Sequence, residues 1–366
     1  MQNNHKKSKS FCISFAVFLL TGLLFCLFLP KPEYSDTERR RLASMPRLTA
    51  ESVWNGHFMS GFEDYAADVF PLRNAFRSIK ALTAGGIFHR QDNNGIYAAD
   101  GYLAAMEYPM REASLRYAAG RFRYIYETYL SEKNHVYLSV IPDKNRFLAK
   151  QSGRLCMDYE AFEKKMEYLC DFAQYIQISD LLELGDYYKT DTHWRQEKIT
   201  DAAVRLAQAM GTQPAADFSA HLLEQDFYGV YYGQAALPFA PDALYYLSNQ
   251  AIERCVAYDW QNQREIPVYQ VEKAAGRDAY EMFLSGALSL VTIEDKDAQT
   301  GRRLVLFRDS FGSSIAPLLL GGYDKITLVD IRYIHPQLLG QFVDFEECDV
   351  LFLYSTLVLN HSDTLK

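Results

Sequence analysis

The longest uninterrupted apolar stretch runs from Phe11 to Leu29, nineteen residues without a charge, and Pro30 closes it. At 1.5 Å of rise per residue, a helix of this length is about as long as the ~30 Å hydrocarbon core of a bilayer. The exit, Leu29-Pro30-Lys31-Pro32, has no small-x-small cleavage pattern, so the segment reads as a retained anchor. Lys6, Lys7 and Lys9 precede it and Lys31, Arg39, Arg40 and Arg41 follow it, a nearly balanced count. A short tail before a lone anchor stays inside by preference. Residues 1–10 are therefore expected in the cytoplasm, 11–29 in the membrane and the remainder outside, as a single-pass cell-membrane protein.

Beyond the anchor the period changes. Residues 30–100 read as an extracytoplasmic leader with a helical stretch from Ser52 to Ala81, broken at Pro71 and ending near Gly85-Gly86. Asn93-Asn94-Gly95 and Asp100-Gly101 bracket Ile96 and Tyr97 as short strands joined by turns. Residues 101–366 form the main domain. Leu115, Ala118, Ala119, Phe122 and Ile125 recur at helical spacing, and His135 to Ile141 is a strand ended by Pro142. A helix is expected over Tyr159 to Tyr175, a strand near Ile176 to Leu182, and an amphipathic helix from Ile199 to Met210 stopped by Gly211. From about 212 to 300, Gly229 to Tyr232, Asp242 to Leu247 and Ile266 to Tyr269 read as strands of a β-rich insertion. Then Leu304 to Phe307, Ile326 to Ile331 and Val350 to Tyr354 follow as strands, with a helix after Ser310. Short apolar strands alternating with helices predict an α/β domain whose parallel sheet is covered on both faces.

Composition narrows the function classes. A formal charge of -8 on 366 residues offers no basic face, so nucleic acid is set aside as a partner. Cys156, Cys170, Cys255 and Cys348 form no C-x-x-C pair, and no H-x-x-x-H accompanies Asp191, His193 and the distant His335. Neither a metal nor a cofactor is expected. The 26 Tyr and 23 Phe suit packing as well as sugar-stacking clefts.

Candidate chemistry sits where the strands end. Ser310, in Arg308-Asp309-Ser310-Phe311-Gly312, directly follows an apolar strand, and the crevice beyond strand carboxyl ends is where open α/β sheets bind ligands. A hydroxyl at that turn is exposed beside backbone N–H groups that hold an oxyanion. Ser310 and Asp309 fit equally well as caps of the following helix. The second element is Tyr187-Tyr188-Lys189-Thr190-Asp191-Thr192-His193-Trp194, ahead of the helix containing Ile199. A serine hydroxyl needs a base, which an imidazole supplies near neutral pH, and a carboxylate fixes the imidazole's tautomer. Two apart on an extended segment, Asp191 and His193 point to one side, and a helix start would favour neutral imidazole. As a bland alternative, Asp191 caps that helix.

Together, Thr190-Asp191-Thr192-His193-Trp194 and Arg308-Asp309-Ser310-Phe311 resemble the Asp-x-His-Trp and Asp-Ser-Tyr/Phe motifs of the DHHW protein family. That family is similar to the alginate O-acetyltransferases, whose domain is a permuted form of the SGNH-hydrolase-like fold, with the Asp-His pair preceding the serine. Phe62-Glu63-Asp64-Tyr65, Asp68 to Arg73, Val140 to Lys144, Asp324 to Tyr333 and Asp349 to Tyr354 extend the resemblance over roughly residues 50–360. Thr192 stands where the family name has its first His, a position that is not the proposed base.

The resemblance implies a three-layer α/β/α domain and ping-pong acetyl transfer to hydroxyls of a cell-surface polysaccharide. Ser310 would be the nucleophile, His193 the general base and Asp191 its orienting partner. The acyl donor would come from a multi-span membrane acyltransferase. Trp194, Tyr188 and Lys144, with Tyr187, are candidates to line a sugar cleft and serve equally as packing residues. Ser310 and Gly286, in Phe283-Leu284-Ser285-Gly286-Ala287, are the oxyanion candidates, with no Asn nearby to complete the set. A carbohydrate O-acetyl esterase has the same triad, a silent glycan-binding protein has the same fold, and a structural membrane-assembly protein would carry the triad by coincidence.

Overall fold

The apolar N-terminal run forms one continuous helix, α1 (Gln2–Phe28), in the computed structural model of the chain. The structure describes residues 2–28, 30–213 and 215–366. Leu29, the last residue of the expected anchor, and the side chains of Lys6 and Lys7 in the expected tail lie outside the described residues. Within α1, Lys9–Cys26 has a mean hydropathy of 2.0 and is unburied, long and apolar enough for a membrane span or a signal sequence.

The chain divides into two compact units, Met1–Arg90 with Ala236–Pro238, and Gln91–Ala235 with Phe239–Lys366. In the first, β1 (Tyr34–Ser35) and β2 (Arg40–Arg41) pair antiparallel, followed by α2 (Ala50–Trp54), α3 (His57–Asp68) and α4 (Arg73–Gly86). Thr49 and Ser52 close a reciprocal cap on α2. The expected helix from Ser52 is thus broken twice. Gly56 at φ 81° makes a first break that the sequence reading did not anticipate, and Leu72 at φ 58°, after Pro71, makes the second. The Asp68 carboxylate accepts from both Arg40 terminal nitrogens, at 2.8 and 2.5 Å, and from the Ala43 N–H at 2.9 Å. The Arg40 bond holds Asp68 down at about 2.

The second unit opens with a hairpin, β3 (Ile96–Ala99) and β4 (Tyr102–Ala105), turned by Asp100-Gly101 at φ 48° and 77°. Then come α5 (Glu112–Tyr129), β5 (His135–Ile141), α6 (Asn145–Leu148), α7 (Tyr159–Leu169), β6 (Gln174–Tyr175) and α8 (Thr200–Ala209). A second hairpin, β7 (Ser219–Leu222) with β8 (Tyr245–Ser248), encloses α9 (Val230–Ala235). After α10 (Gln250–Arg254) run β9 (Val256–Asp259), β10 (Arg264–Ile266), β11 (Leu290–Glu294) and β12 (Arg303–Arg308). The chain closes with α11 (Gly312–Ile315), β13 (Lys325–Val329), β14 (Asp349–Ser355) and α12 (Thr356–Asn360).

Eight strands make one sheet in the order β10-β9-β11-β13-β12-β14-β5-β6. From β13 to β6 every pairing is parallel, while β11 is antiparallel to both β13 and β9, and β9 to β10. Side chains alternate between faces because the strand period is two. Leu304, Leu306, Leu351 and Leu353 join Ala202, Ala203 and Leu206 of α8 in one apolar cluster. Val305, Phe307, Val350 and Phe352 join Leu115 and Phe122 of α5 and Phe162 of α7 in another. Phe352 stacks on Phe122 at 4.6 Å and on Phe307 at 4.8 Å.

Three expectations are corrected here. The sheet is mixed rather than wholly parallel, because β9, β10 and β11 extend it antiparallel. Residues 212–300 are therefore no separate β-rich insertion: their second half is an edge of the main sheet, and Gly229 to Tyr232 belongs largely to helix α9. The helix expected over Tyr159 to Tyr175 stops at Leu169, since Gln174 and Tyr175 pair with Tyr137 and Leu138 and so take the strand expected at 176–182. Sheet pairing overrides the local pattern there.

Candidate active site

Ser310 stands two residues past β12, between neighbours β13 and β14, at the end of the parallel strands. Its turn is set by Asp309, which is fully buried. One Asp309 oxygen accepts from the Phe311 N–H at 3.0 Å and the other from the Ser355 N–H at 2.8 Å, joining the ends of β12 and β14. Gly312 allows the tight return, since a Cβ there would lie 2.5 Å from the Cβ of Arg308. Arg308 is itself buried, its guanidinium 3.6 Å from Asp330. The helix after Ser310 is a single turn, α11.

Asp191 and His193 lie in a tight loop and not on an extended segment. A bridge between Tyr187 and Trp194 closes it, with the Tyr188 N–H donating to the His193 carbonyl at 3.1 Å. Nor do they start a helix: a 3₁₀ turn at Gln196–Lys198 intervenes and α8 begins at Thr200. His193 therefore does not stand at the start of an α-helix. What orients the pair is hydrogen bonding. Asp191 Oδ1 lies 2.5 Å from His193 Nδ1 and accepts the His193 backbone N–H at 3.0 Å, and Oδ2 accepts the Val230 N–H at 2.9 Å. On its other side, His193 Nε2 lies 2.7 Å from Ser310 Oγ. Three side chains up to 119 positions apart in the chain form one hydrogen-bonded row, with Asp191 and His193 buried and Ser310 half-buried.

The fold is shared with a DHHW family protein. The chain superimposes on that protein, from Eubacterium siraeum, with a TM-score of 0.61 at 20% identity over 73% of this chain and 93% of the other. Bacillus cereus PatB1 matches with a TM-score of 0.56 at 17% identity, over 72% and 96% of the two chains. A PatB1 structure with a sulfonyl adduct matches at 0.55 and 18%, over 72% and 95%. No family model and no curated protein matches the sequence.

Of the two roles open to Trp194, Tyr188, Lys144 and Tyr187, sugar cleft or packing, the structure shows packing. Trp194 and Tyr188 are 0% exposed and Lys144 is 2% exposed. Trp194 donates from Nε1 to Ser314 Oγ at 2.8 Å, fastening the His193 loop to the helix after Ser310. Lys144 Nζ donates to the carbonyls of Tyr188 and Lys189, at 2.8 and 3.3 Å, under the same loop. Burial pushes its amine down to about 7, against the pull of Asp191, Asp242 and Asp143. Tyr187, also buried, donates to the Pro142 carbonyl at 2.6 Å. Trp194, Lys144 and Tyr187 brace the loop, and the Tyr188 ring packs edge-on against Phe227 and Tyr280.

Gly286 is corrected as well. Its N–H donates to the Phe283 carbonyl at 3.2 Å and is spent, and its φ of 84° belongs to that turn. The Ser310 N–H, by contrast, has no acceptor among the described residues.

Several partners escaped the sequence reading. Tyr280 stacks flat on His193, with ring centres 3.8 Å apart and planes 5° apart, and Phe311 tilts against the imidazole at 4.9 Å. The Tyr280 hydroxyl lies 2.8 Å from Ser314 Oγ, the atom that also receives Trp194. Asp242 accepts from the N–H groups of Lys189 and Thr190 and from the Thr190 hydroxyl, at 2.7, 2.8 and 2.6 Å. Gly229 lies so close that a Cβ would sit 2.2 Å from Asp191 Cα. A glycine amid Tyr and Val was the one visible hint of close backbone approach.

Proposed function

We propose that this chain is a membrane-anchored O-acetyltransferase of the three-layer α/β/α SGNH-hydrolase-like kind, moving an acetyl group through Ser310 to hydroxyls of a cell-surface polysaccharide. The observation that carries the reading is the row Asp191–His193–Ser310, with contacts of 2.5 and 2.7 Å. With Nδ1–H donating to Asp191, the imidazole has Nε2 open to take the serine proton. Ser310 Oγ then bonds to the acetyl carbonyl carbon, and His193 delivers that proton to the departing oxygen of the donor. In the second half, a sugar hydroxyl gives its proton to His193 and attacks the acetyl-serine, and Ser310 is regenerated. Asp191 stabilises the imidazolium at each stage. The uncommitted Ser310 N–H is suited to the developing oxyanion. The shared fold with PatB1, for which a sulfonyl adduct exists, fits a reactive serine: a sulfonyl electrophile captures an activated hydroxyl.

In this proposal α1 remains as the anchor, the second unit lies outside the cell membrane, and a multi-span acyltransferase supplies the acyl donor. Purified full-length protein should release the alcohol from a small activated acetyl ester and be labelled by a sulfonyl fluoride. Ser310→Ala should abolish both. Equal hydrolysis by the variant would end the acyl-transfer reading. Acetylated oligosaccharide formed from the acyl-enzyme supports transfer, and free acetate alone makes the protein an esterase.

A further inference from the structure

Among the described residues, large exposed apolar side chains are concentrated in the first unit. Fourteen fall within residues 31–90 and eleven within the whole of 91–366, a contrast that ordinary scattering does not produce. Helix α4 and the two residues after it supply five of the fourteen, because the helix is turned inside out. Its inward side carries Arg73 and Arg77, with side chains 18% and 17% exposed, beside the buried Ala81 and Ala84. Arg73 pairs with Glu38 and, at 3.2 Å, with Asp68, and Arg77 pairs with Glu38 at 3.2 Å. Burial alone would raise the Glu38 carboxyl, yet Arg73, Arg77 and Arg40 hold it below its ordinary range. The outward side is Phe76, Ile79 and Leu82, 53–57% exposed, continued by Ile87 and Phe88 at 69% and 71%. A helix that pairs its cations internally and turns its apolar stripe outward is built to meet an apolar medium.

The covering surface follows from the chain's course. Only five residues separate the end of α1 at Phe28 from β1 at Tyr34, a reach of roughly 20 Å at full extension. Residues 31–90 hold nine Lys and Arg against seven Asp and Glu, whereas residues 91–366 hold 26 against 39. The basic stretch is therefore the one tied to the apolar helix, as anionic headgroups favour. Trp54 on α2, 94% exposed, adds an aromatic ring of the type that settles at bilayer interfaces. We propose that the first unit is a bilayer-surface module: α4 lies in the plane of the leaflet from which α1 emerges, with Phe76, Ile79, Leu82, Ile87 and Phe88 among headgroups and upper acyl chains. The proposal rests on reading α1 as a retained anchor.

Photocrosslinking of the full chain in vesicles of phosphatidylcholine and phosphatidylglycerol separates the two claims. p-Benzoylphenylalanine is placed singly at Phe76, at Phe88, at Phe18 within α1, and at Tyr333, an exposed ring of the second unit; circular dichroism confirms that each variant is folded. Lipid adducts at positions 18, 76 and 88, several-fold above position 333, are expected. Adducts at 18 with only protein crosslinks, or none, at 76 and 88 would overturn the surface module and leave the anchor standing. No lipid adduct at 18 would overturn both.

Discussion

Ser310 and His193 meet across 2.7 Å, yet the turn and the loop that carry them are restrained by different parts of the chain. The serine turn is held by the sheet: its own neighbour Asp309 ties the ends of β12 and β14, and Gly312 returns the chain over Arg308. The His193 loop is held by residues scattered along the chain: Lys144 beneath it, Val230 and Gly229 beside Asp191, Asp242 on Thr190, Tyr280 against the ring. A turn that grows out of a sheet is fixed as soon as the sheet forms. A loop fastened by remote contacts is exposed to changes far from the chemistry, so the imidazole side is where the site should be easiest to break.

Within the row, Asp191→Asn should lower ester turnover by about 10⁴-fold, because the imidazole loses the carboxylate that sets its tautomer. Steady-state kinetics with the activated ester checks this, and a loss below tenfold would remove Asp191 from the row. Gly229→Ala comes next. Its methyl group would collide with Asp191 Cα and shift the loop, for a loss on the order of 10²-fold in kcat with the sheet intact by circular dichroism. Asp242→Ala strips acceptors from three donors and should cost about 1–3 kcal/mol in urea unfolding. Tyr280→Phe keeps the stacked ring and loses only the contact to Ser314, about 1 kcal/mol, so that activity stays within roughly fivefold.

A separate effect is in pH dependence. Lys144 titrates near 7 when folded and at about 10.4 when unfolded. Between those values the unfolded chain holds a proton that the folded chain lacks, so stability contributed by this group rises with pH across that window. Asp143, pushed up by burial to about 6, acts in reverse: from about pH 4 to 6 the folded chain holds the extra proton, and stability falls. Lys144→Met should flatten the rise above pH 7 in a urea series and leave the lower limb in place.

How much of this was legible in the sequence depends on range. His135 to Ile141 was readable to the residue, and β12 and β14 to within a residue or two, because a strand buried on both faces is a short unbroken apolar run. The three residues of the row were legible through their motifs. The antiparallel half of the sheet was not, since Val256–Asp259 and Arg264–Ile266 are short and acquire their strand identity from pairing with β11. For Lys144, Tyr188 and Trp194 the sequence leaves cleft and packing roles open, because polar tips on large side chains look alike whether they meet a ligand or a carbonyl. Tyr280 left no trace, as nothing in a sequence says which of 26 tyrosines lies on an imidazole 87 positions away.

The imidazole is clasped between Tyr280 and Phe311, its Nδ1 edge sealed by Asp191, while the hydroxyl it serves stays half-open. In the proposed acyl transfer, a ring so confined would serve both half-reactions from one position. Under that proposal, donor and acceptor would arrive in turn from the same exposed side of Ser310. Whichever molecule stood there while the serine was loaded, water or carbohydrate, would then decide the fate of the acyl group.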